Sequence, residues 1–202
     1  MNKGITRLVY LNAFTIGFVI MGFEMVASRY MYPFFGGGIT TWAALISTVL
    51  LALMTGYFIG GALTERFHSL SIMGGIIIAA AFYMALVPLA TQSAFEWLSH
   101  LIANDMGVLL VSAMVLLFIP IALFGTFTPY SIHMVLSSAA ESGKIAGRIY
   151  GISTFGNVIG TLATTFYLIP HVGSTALTFL FAGLTFMSGM LLFIFSYFEK
   201  DT

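Results

Sequence analysis

Long apolar runs recur along the whole chain, and this recurrence constrains the fold more than any other feature of the sequence. Each run is about 20 residues long, which is the length that an α-helix needs to cross a bilayer. Only 7% of the 202 residues are charged, whereas a soluble domain carries about 25%. Membrane β-barrels alternate apolar and polar residues, and this sequence does not. The sequence therefore predicts an all-α membrane protein.

Six membrane-spanning helices fit these runs, and no segment long enough for a soluble domain is left between them. The predicted spans are 8–28, 40–63, 69–91, 106–136, 147–170 and 174–197. Residues 1–202 are thus predicted to form a single six-helix transmembrane domain. The first run is longer than the core of a secretory signal, about 7–15 residues, so we expect it to be retained.

Basic residues are concentrated on one side of this topology. Six of them fall on the side of the termini: Lys3, Arg7, Arg66, Lys144, Arg148 and Lys200. Only Arg29 falls on the other side. Because cytoplasmic loops carry an excess of Lys and Arg, the bias predicts a multi-pass protein of the cytoplasmic (inner) membrane with both termini in the cytoplasm.

The composition excludes several classes of function. The net charge is zero and the sequence has no basic run, so nucleic acid is not an expected partner. The chain has no cysteine, which excludes disulfides and thiolate metal sites. It contains no zinc-protease, serine-hydrolase or P-loop motif and no pair of carboxylates within one segment. We therefore predict no enzyme activity, no metal and no cofactor.

Two charged residues, Glu24 and Arg29, lie at the outer end of the first span. At about 1.5 Å per residue, Glu24 is about 24 Å from Leu8, in the outer third of a core of roughly 30 Å. The offset of five residues is about 140° around a helix, so the two side chains share no face. A direct ion pair requires the helix to unwind before Pro33. We predict such a turn there, because Pro33 and the glycines at 36–38 favour it.

A carboxylate inside a span costs about 2.5–3.5 kcal/mol on insertion scales, so Glu24 needs an explanation. The functional interpretation is that Glu24 lines a polar cavity and binds a cation or a proton. The structural alternative is a protonated Glu24 bonded to another helix, or an ion pair with Arg29. Trp42 and the tyrosines near it are suited to hold an organic cation by cation–π contact. An interfacial aromatic belt has the same sequence pattern.

The later spans carry helix-packing signals. Pro120 and Pro129 predict a kink or break in the fourth span. In the fifth span, Gly156 and Gly160 form a small-xxx-small pair that predicts close helix packing. The second span has a similar pair at residues 56 and 60. Beside the fifth-span glycines runs a polar stripe that includes Ser153 and Asn157, which either contact a substrate or hold helices together.

The loop after the second span reads GGALTERFHSL at residues 60–70. It resembles the loop between the second and third helices of the major facilitator superfamily, whose pattern is Gly-x-Leu-x-Asp-Arg. Gly61, Leu63, Glu65 and Arg66 match, with Glu in place of Asp, whereas a second glycine and further basic residues are missing. In that family the acid and the arginine brace helix ends on the cytoplasmic side, so the resemblance implies this role for Glu65 and Arg66.

Two longer stretches carry a second resemblance. They read FEMVASRYMYPFFGGGITTWAALISTVLLALMTGYFIGG, at residues 23–61, and GRIYGISTFGNVIGTLATTFYLIPHVGS, at residues 147–174. Both are similar to the membrane domain that precedes the catalytic domain in membrane-bound spermidine synthase-like proteins. The resemblance implies half of a major-facilitator-type bundle and a link to polyamine chemistry. The 202 residues include no counterpart of the aminopropyltransferase-like domain of those proteins, so we carry over no catalytic role.

Two functional hypotheses follow. In the first, the chain is a half-transporter that works as a homodimer in the lipid bilayer and moves a small, polyamine-like cation. The candidate substrate-binding residues are Glu24, Arg29, Trp42, Tyr57, Ser153 and Asn157. The candidate gating or structural residues are Pro33, Gly36, Gly61, Glu65, Arg66, Gly156 and Gly160. In the second hypothesis, the bundle is a membrane scaffold for a separate soluble aminopropyltransferase-like enzyme.

Overall fold

Six long helices make up the described part of the protein. The computed structural model describes residues 3–67, 69–136 and 141–200, and no strand occurs within these ranges. The helices are α1 Lys3–Phe35, α2 Ile39–Arg66, α3 Leu70–Leu101, α4 Asp105–Val135, α5 Ser142–Val172 and α6 Ser174–Lys200. All six contain a stretch long and apolar enough to cross a membrane. This confirms the prediction of an all-α, multi-pass membrane protein with six transmembrane helices.

Several helices extend beyond the apolar run that predicted them. The clearest case is α3, which continues to Leu101 instead of ending near residue 91. Its last turns are amphipathic, because Phe95 and Leu98 are buried while the residues between them are exposed. The sequence then stops the helix, and the side chain of Asn104 caps α4 by accepting a hydrogen bond from the Met106 N–H at 2.9 Å. Hydropathy thus marks the lipid-facing part of a helix and not its end.

Contacts between α1 and α6 show that these two helices run in opposite directions. Asn12, early in α1, accepts a hydrogen bond from Ser188, late in α6. Tyr30, late in α1, shares a hydrogen bond of 3.1 Å with Thr178, early in α6. The order of the contacts along each helix likewise shows that α3 is antiparallel to α6 and that α1 is parallel to α5.

The helices therefore alternate in direction, and both ends of the described chain lie at the same face of the bundle. Arg7, Arg66 and Lys144 belong to helix ends at that face. Arg29 belongs to the opposite end of α1. The predicted charge asymmetry is thus present in the fold, while the assignment of the basic face to the cytoplasm stays a prediction.

Three helix pairs pack backbone against backbone through glycines. A Cβ added to Gly60 of α2 would lie 2.7 Å from the Thr126 Cα of α4, and one added to Gly74 of α3 would lie 2.7 Å from the Gly189 carbonyl oxygen of α6. Gly160 of α5 lies against the backbone of Phe18 of α1 in the same way. Gly56 and Gly156 make equivalent contacts in the first and third of these pairs. The predicted close packing at both small-xxx-small pairs is confirmed.

The pattern of helix neighbours repeats between the first three helices and the last three. Let α1 correspond to α4, α2 to α5 and α3 to α6. The α1–α5 pair then corresponds to the α4–α2 pair, and both pairs are closely packed. In the same way α1–α6 corresponds to α4–α3, and α3–α6 corresponds to itself, and these contacts are present too. The bundle thus consists of two three-helix units with the same set of packing relations.

Two helices contain a π-helical turn immediately before an Ile-Pro pair. In α4 it covers Met114–Phe118, ahead of Pro120, and in α5 it covers Thr164–Leu168, ahead of Pro170. A further turn at Thr126 interrupts α4 three residues before Pro129. Proline cannot donate to the preceding turn, and a π turn is one way for a helix to absorb the lost bond. The predicted irregularity of the fourth span is confirmed, whereas that of the fifth was not predicted.

The predicted unwinding before Pro33 is wrong, because α1 continues as helix to Phe35. Pro33 lies in the last turn of α1, where its missing N–H removes one backbone hydrogen bond close to the end of the helix. The helix ends instead at Gly36, whose φ of 70° is left-handed and whose N–H donates to the Tyr32 carbonyl at 2.9 Å. This is the usual role of glycine just beyond a helix end.

Candidate functional site: a cavity at Glu24

Glu24 is buried inside the bundle without a partner. Its side chain is 4% exposed, and within the described ranges its carboxylate makes no hydrogen bond and no ion pair. It lies four or five residues beyond the middle of the Gly4–Phe35 candidate span, which is about 7 Å from the span centre. A carboxylate at this depth lies within the hydrocarbon region, where an unpaired charge is costly.

Glu24 is one of the residues that line a cavity of about 350 Å³ between α1, α2 and α5. The lining consists of Met21, Glu24, Met25, Trp42, Ile46, Val49, Leu50 and Thr161. Ile46 is 48% exposed and Leu50 is 62% exposed, so these two side chains form a rim where the cavity reaches the bundle surface. Glu24 is buried. The site is thus an apolar recess whose lining includes one acid.

Thr161 is the only other residue of this lining with an oxygen in its side chain. Its hydroxyl donates to the Asn157 carbonyl at 2.9 Å, so its oxygen lone pairs are available to a donor in the cavity. Thr161 was not among the predicted binding residues. The signal was present, since Thr161 follows Asn157 by four residues and belongs to the same polar stripe.

A second cavity of about 220 Å³ lies near the C-terminal end of α1 and shares Trp42 with the first. Arg29, Tyr32 and Thr41 contribute to its lining. Arg29 is exposed and forms no ion pair with any described residue. The Glu24–Arg29 brace, one of the alternatives raised by the sequence, is therefore not formed. Trp42 thus lines both the cavity that includes Glu24 and the cavity that includes Arg29.

Three predicted binding residues lie outside both linings. Tyr57 follows Trp42 by 15 residues, which is about 22 Å along α2. The backbone carbonyl of Ser153 lies against Gly17 of α1. The Asn157 side-chain oxygen is buried beside Gly17 and has no hydrogen-bond partner among the described residues. Of the six predicted residues, Glu24 and Trp42 line the first cavity, and Trp42 and Arg29 line the second.

The predicted gating and structural residues fall into three groups. Pro33 and Gly36 lie at the C-terminal end of α1. Gly156 and Gly160 are part of the α1–α5 contact. Gly61, Glu65 and Arg66 lie at the opposite end of α2 from Trp42, where both charged side chains are exposed and no atom lies within 4 Å of a Cβ added to Gly61.

The chemistry of the first cavity suits a cation. A carboxylate without a protein partner offers a negative charge, the hydroxyl of Thr161 offers an acceptor, and the face of an indole attracts cations. The described residues contain no group of three or more His, Cys, Asp or Glu side chains that could hold a metal ion. The recess therefore fits an organic cation better than a bare metal ion, which needs several oxygen ligands.

No family model, curated protein or solved structure with which the chain was compared matches it. The resemblances to the major facilitator superfamily and to spermidine synthase-like membrane domains stay predictions. Function is accordingly inferred from the cavity and from the helix arrangement around it.

Proposed function

We propose that the protein is a membrane carrier for a small organic cation, with Glu24 as the charge partner of the substrate. The proposal rests on one observation: Glu24 is 4% exposed and lines a cavity, and its carboxylate has no partner among the described residues. Burying that group is unfavourable by about 2.5–3.5 kcal/mol on insertion scales. A bound cation, or a proton in its absence, offsets this cost.

We further propose that the chain is a half-transporter of the major-facilitator type and works as a two-fold homodimer. Support comes from the repeated packing relations of the two three-helix units, because many carriers consist of such repeats. Support also comes from the rim of the cavity, where exposed Ile46 and Leu50 leave one side without a protein wall. A second copy supplies that wall and completes the site. In this arrangement both termini are cytoplasmic and the protein belongs to the inner membrane.

A scaffold for a soluble enzyme is the less favoured function. The described connections between helices are short, for example residues 36–38 and 102–104. Stable protein–protein interfaces bury about 1,200–2,000 Å², and such loops expose little surface for one. Recovery of a soluble aminopropyltransferase-like enzyme with the tagged protein from native membranes would favour the scaffold.

Uptake into liposomes tests the carrier proposal. Purified wild type, Glu24→Gln and Glu96→Gln are reconstituted, and uptake of labelled putrescine, spermidine and benzyltrimethylammonium is measured against empty liposomes. Glu96 is the matched control, since it is an exposed acid of α3 that accepts a hydrogen bond from Gln92 at 3.1 Å and lines neither cavity. We expect uptake of at least one cation by wild type and Glu96→Gln, and its loss in Glu24→Gln. Equal uptake by all three proteins, or none by any, contradicts the proposal.

A further inference from the structure

From the lining of the Glu24 cavity we infer that the protein selects a singly charged cation with apolar substituents over a polyamine. The inference rests on the proposed function and narrows it, because the resemblance to spermidine synthase-like proteins favours a polyamine and the lining favours a different ligand. Three features of the site lead to it: the number of acids, the nature of the walls and the charge beyond Trp42.

The first feature is that the cavity has one carboxylate. Glu24 neutralises one positive charge, and Thr161 supplies the only other side-chain oxygen of the lining. A polyamine carries two or more ammonium groups, so at least one of them would lie against apolar side chains without a counter-charge. Burial of an unpaired charge is strongly unfavourable. A ligand with one charge avoids this penalty.

The second feature is that the remaining walls are apolar and polarisable. Met21 and Met25 flank Glu24 on α1, and Ile46, Val49 and Leu50 form the opposite side on α2. Methionine side chains adapt their shape to apolar ligands, and Trp42 favours cations whose charge lies against a ring face. Alkyl or aryl groups around a single nitrogen match these walls, whereas the hydrogen-bonding needs of several ammonium groups are not met.

The third feature is the positive charge in the neighbouring cavity. A chain that extends from Glu24 past Trp42 enters the space lined by Arg29. Arg29 has no acidic partner among the described residues, so its charge repels a second ammonium there.

Fluorescence of Trp42 gives a direct readout of binding. The chain has two tryptophans, and Trp97 is 62% exposed near the end of α3, so Trp97→Phe leaves Trp42 as the single reporter. In this background, full-length protein in nanodiscs is titrated with benzyltrimethylammonium, with spermidine and with neopentylbenzene. The last compound is the uncharged isostere of the first and measures partition into lipid. Each titration is repeated with Glu24→Gln and with Arg29→Gln.

We expect benzyltrimethylammonium to bind about tenfold or more tightly than spermidine, and Glu24→Gln to weaken it by about tenfold. We expect no saturable signal for neopentylbenzene, and a stronger binding of spermidine in Arg29→Gln. If spermidine binds as tightly as benzyltrimethylammonium or more so, and depends on Glu24, the inference is overturned while the proposed function stands. If neither cation depends on Glu24 in variants that keep the wild-type elution volume and unfolding temperature, both fail.

Discussion

Gly17 and Glu24 lie seven residues apart on the same side of α1, yet their surroundings are opposite. At Gly17, the backbone of α5 approaches so closely that an added Cβ would lie 2.9 Å from the Ser153 carbonyl carbon. At Glu24, about two turns further along, the same side of the helix borders a cavity of about 350 Å³. The comparison indicates that the α1–α5 contact at Gly17 supplies stability, whereas the part of α1 two turns further along holds an acid without a protein partner among the described residues.

The largest expected effect comes from adding a side chain at Gly17, where α1 and α5 are in close contact. Gly17→Leu places a side chain where the α5 backbone lies, and we expect the free energy of unfolding in mixed micelles to fall by about 3 kcal/mol. Gly151→Leu is the control, because no atom lies within 4 Å of a Cβ added to Gly151. A loss of the same size in both variants would contradict the described packing.

The next prediction tests whether stability depends on the backbone contact that a glycine makes, and not on the presence of glycine alone. Gly60→Ala puts a Cβ 2.7 Å from the Thr126 Cα, and we expect a loss of about 2 kcal/mol. The adjacent Gly61→Ala meets no atom within 4 Å, so it is expected to raise the free energy of unfolding by about 0.5 kcal/mol through helix propensity. The two thermal or detergent-unfolding curves should move in opposite directions, and a shift of both to lower stability would refute the distinction.

At the cavity, removal of the Glu24 carboxylate should stabilise the protein. Glu24→Leu eliminates an unpaired buried carboxylate, and we expect the free energy of unfolding to rise by about 1–2 kcal/mol while cation uptake is lost. The same unfolding titration, run beside the uptake assay, checks both. A loss of stability would mean that Glu24 has a structural partner, which would remove the reason for assigning it to a ligand.

The smallest expected effect concerns the hydrogen bond that joins α1 to α6. In a double-mutant cycle of Asn12→Leu and Ser188→Ala, we expect a coupling energy of about 0.6 kcal/mol, the average for polar contacts between membrane helices. Thr15→Val is the matched control, since the Thr15 hydroxyl donates to the Leu11 carbonyl of its own helix at 3.0 Å. Coupling of Thr15 to Ser188 as strong as that of Asn12 would show that the cycle does not report the bond.

Much of the fold could be predicted from the sequence, because each helix that crosses the lipid must contain its own apolar run of about 20 residues. The number of helices, their order and the close packing at Gly60 and Gly160 required only local pattern. Helix ends were less accessible, since the amphipathic end of α3 has no lipid signature. The π turn of α5 was missed because its only visible cue, Pro170, lies at the end of the apolar run.

The site was predicted only in part, because periodicity within one helix does not identify the helix that it meets. Glu24 and Trp42 were both expected in the site, and the structure brings them to one cavity. Asn157 and Thr161 lie on the same side of α5, but the crossing of α5 over α1 buries the first against Gly17 and leaves the second at the cavity. Only the three-dimensional arrangement distinguishes them.

The π turn of α4 has a consequence for how this chain tolerates insertions and deletions. Such a turn holds one residue more than the regular helix needs, so deleting a single residue within Met114–Phe118 would leave an unbroken α-helix of better local geometry. The segment beyond it would then rotate by about 100°, which would carry Gly125 away from Gly56, its neighbour on α2. The extra residue therefore sets the rotation of the second half of α4 about the helix axis. Its loss would improve the local helix geometry but misalign α4 with its neighbours.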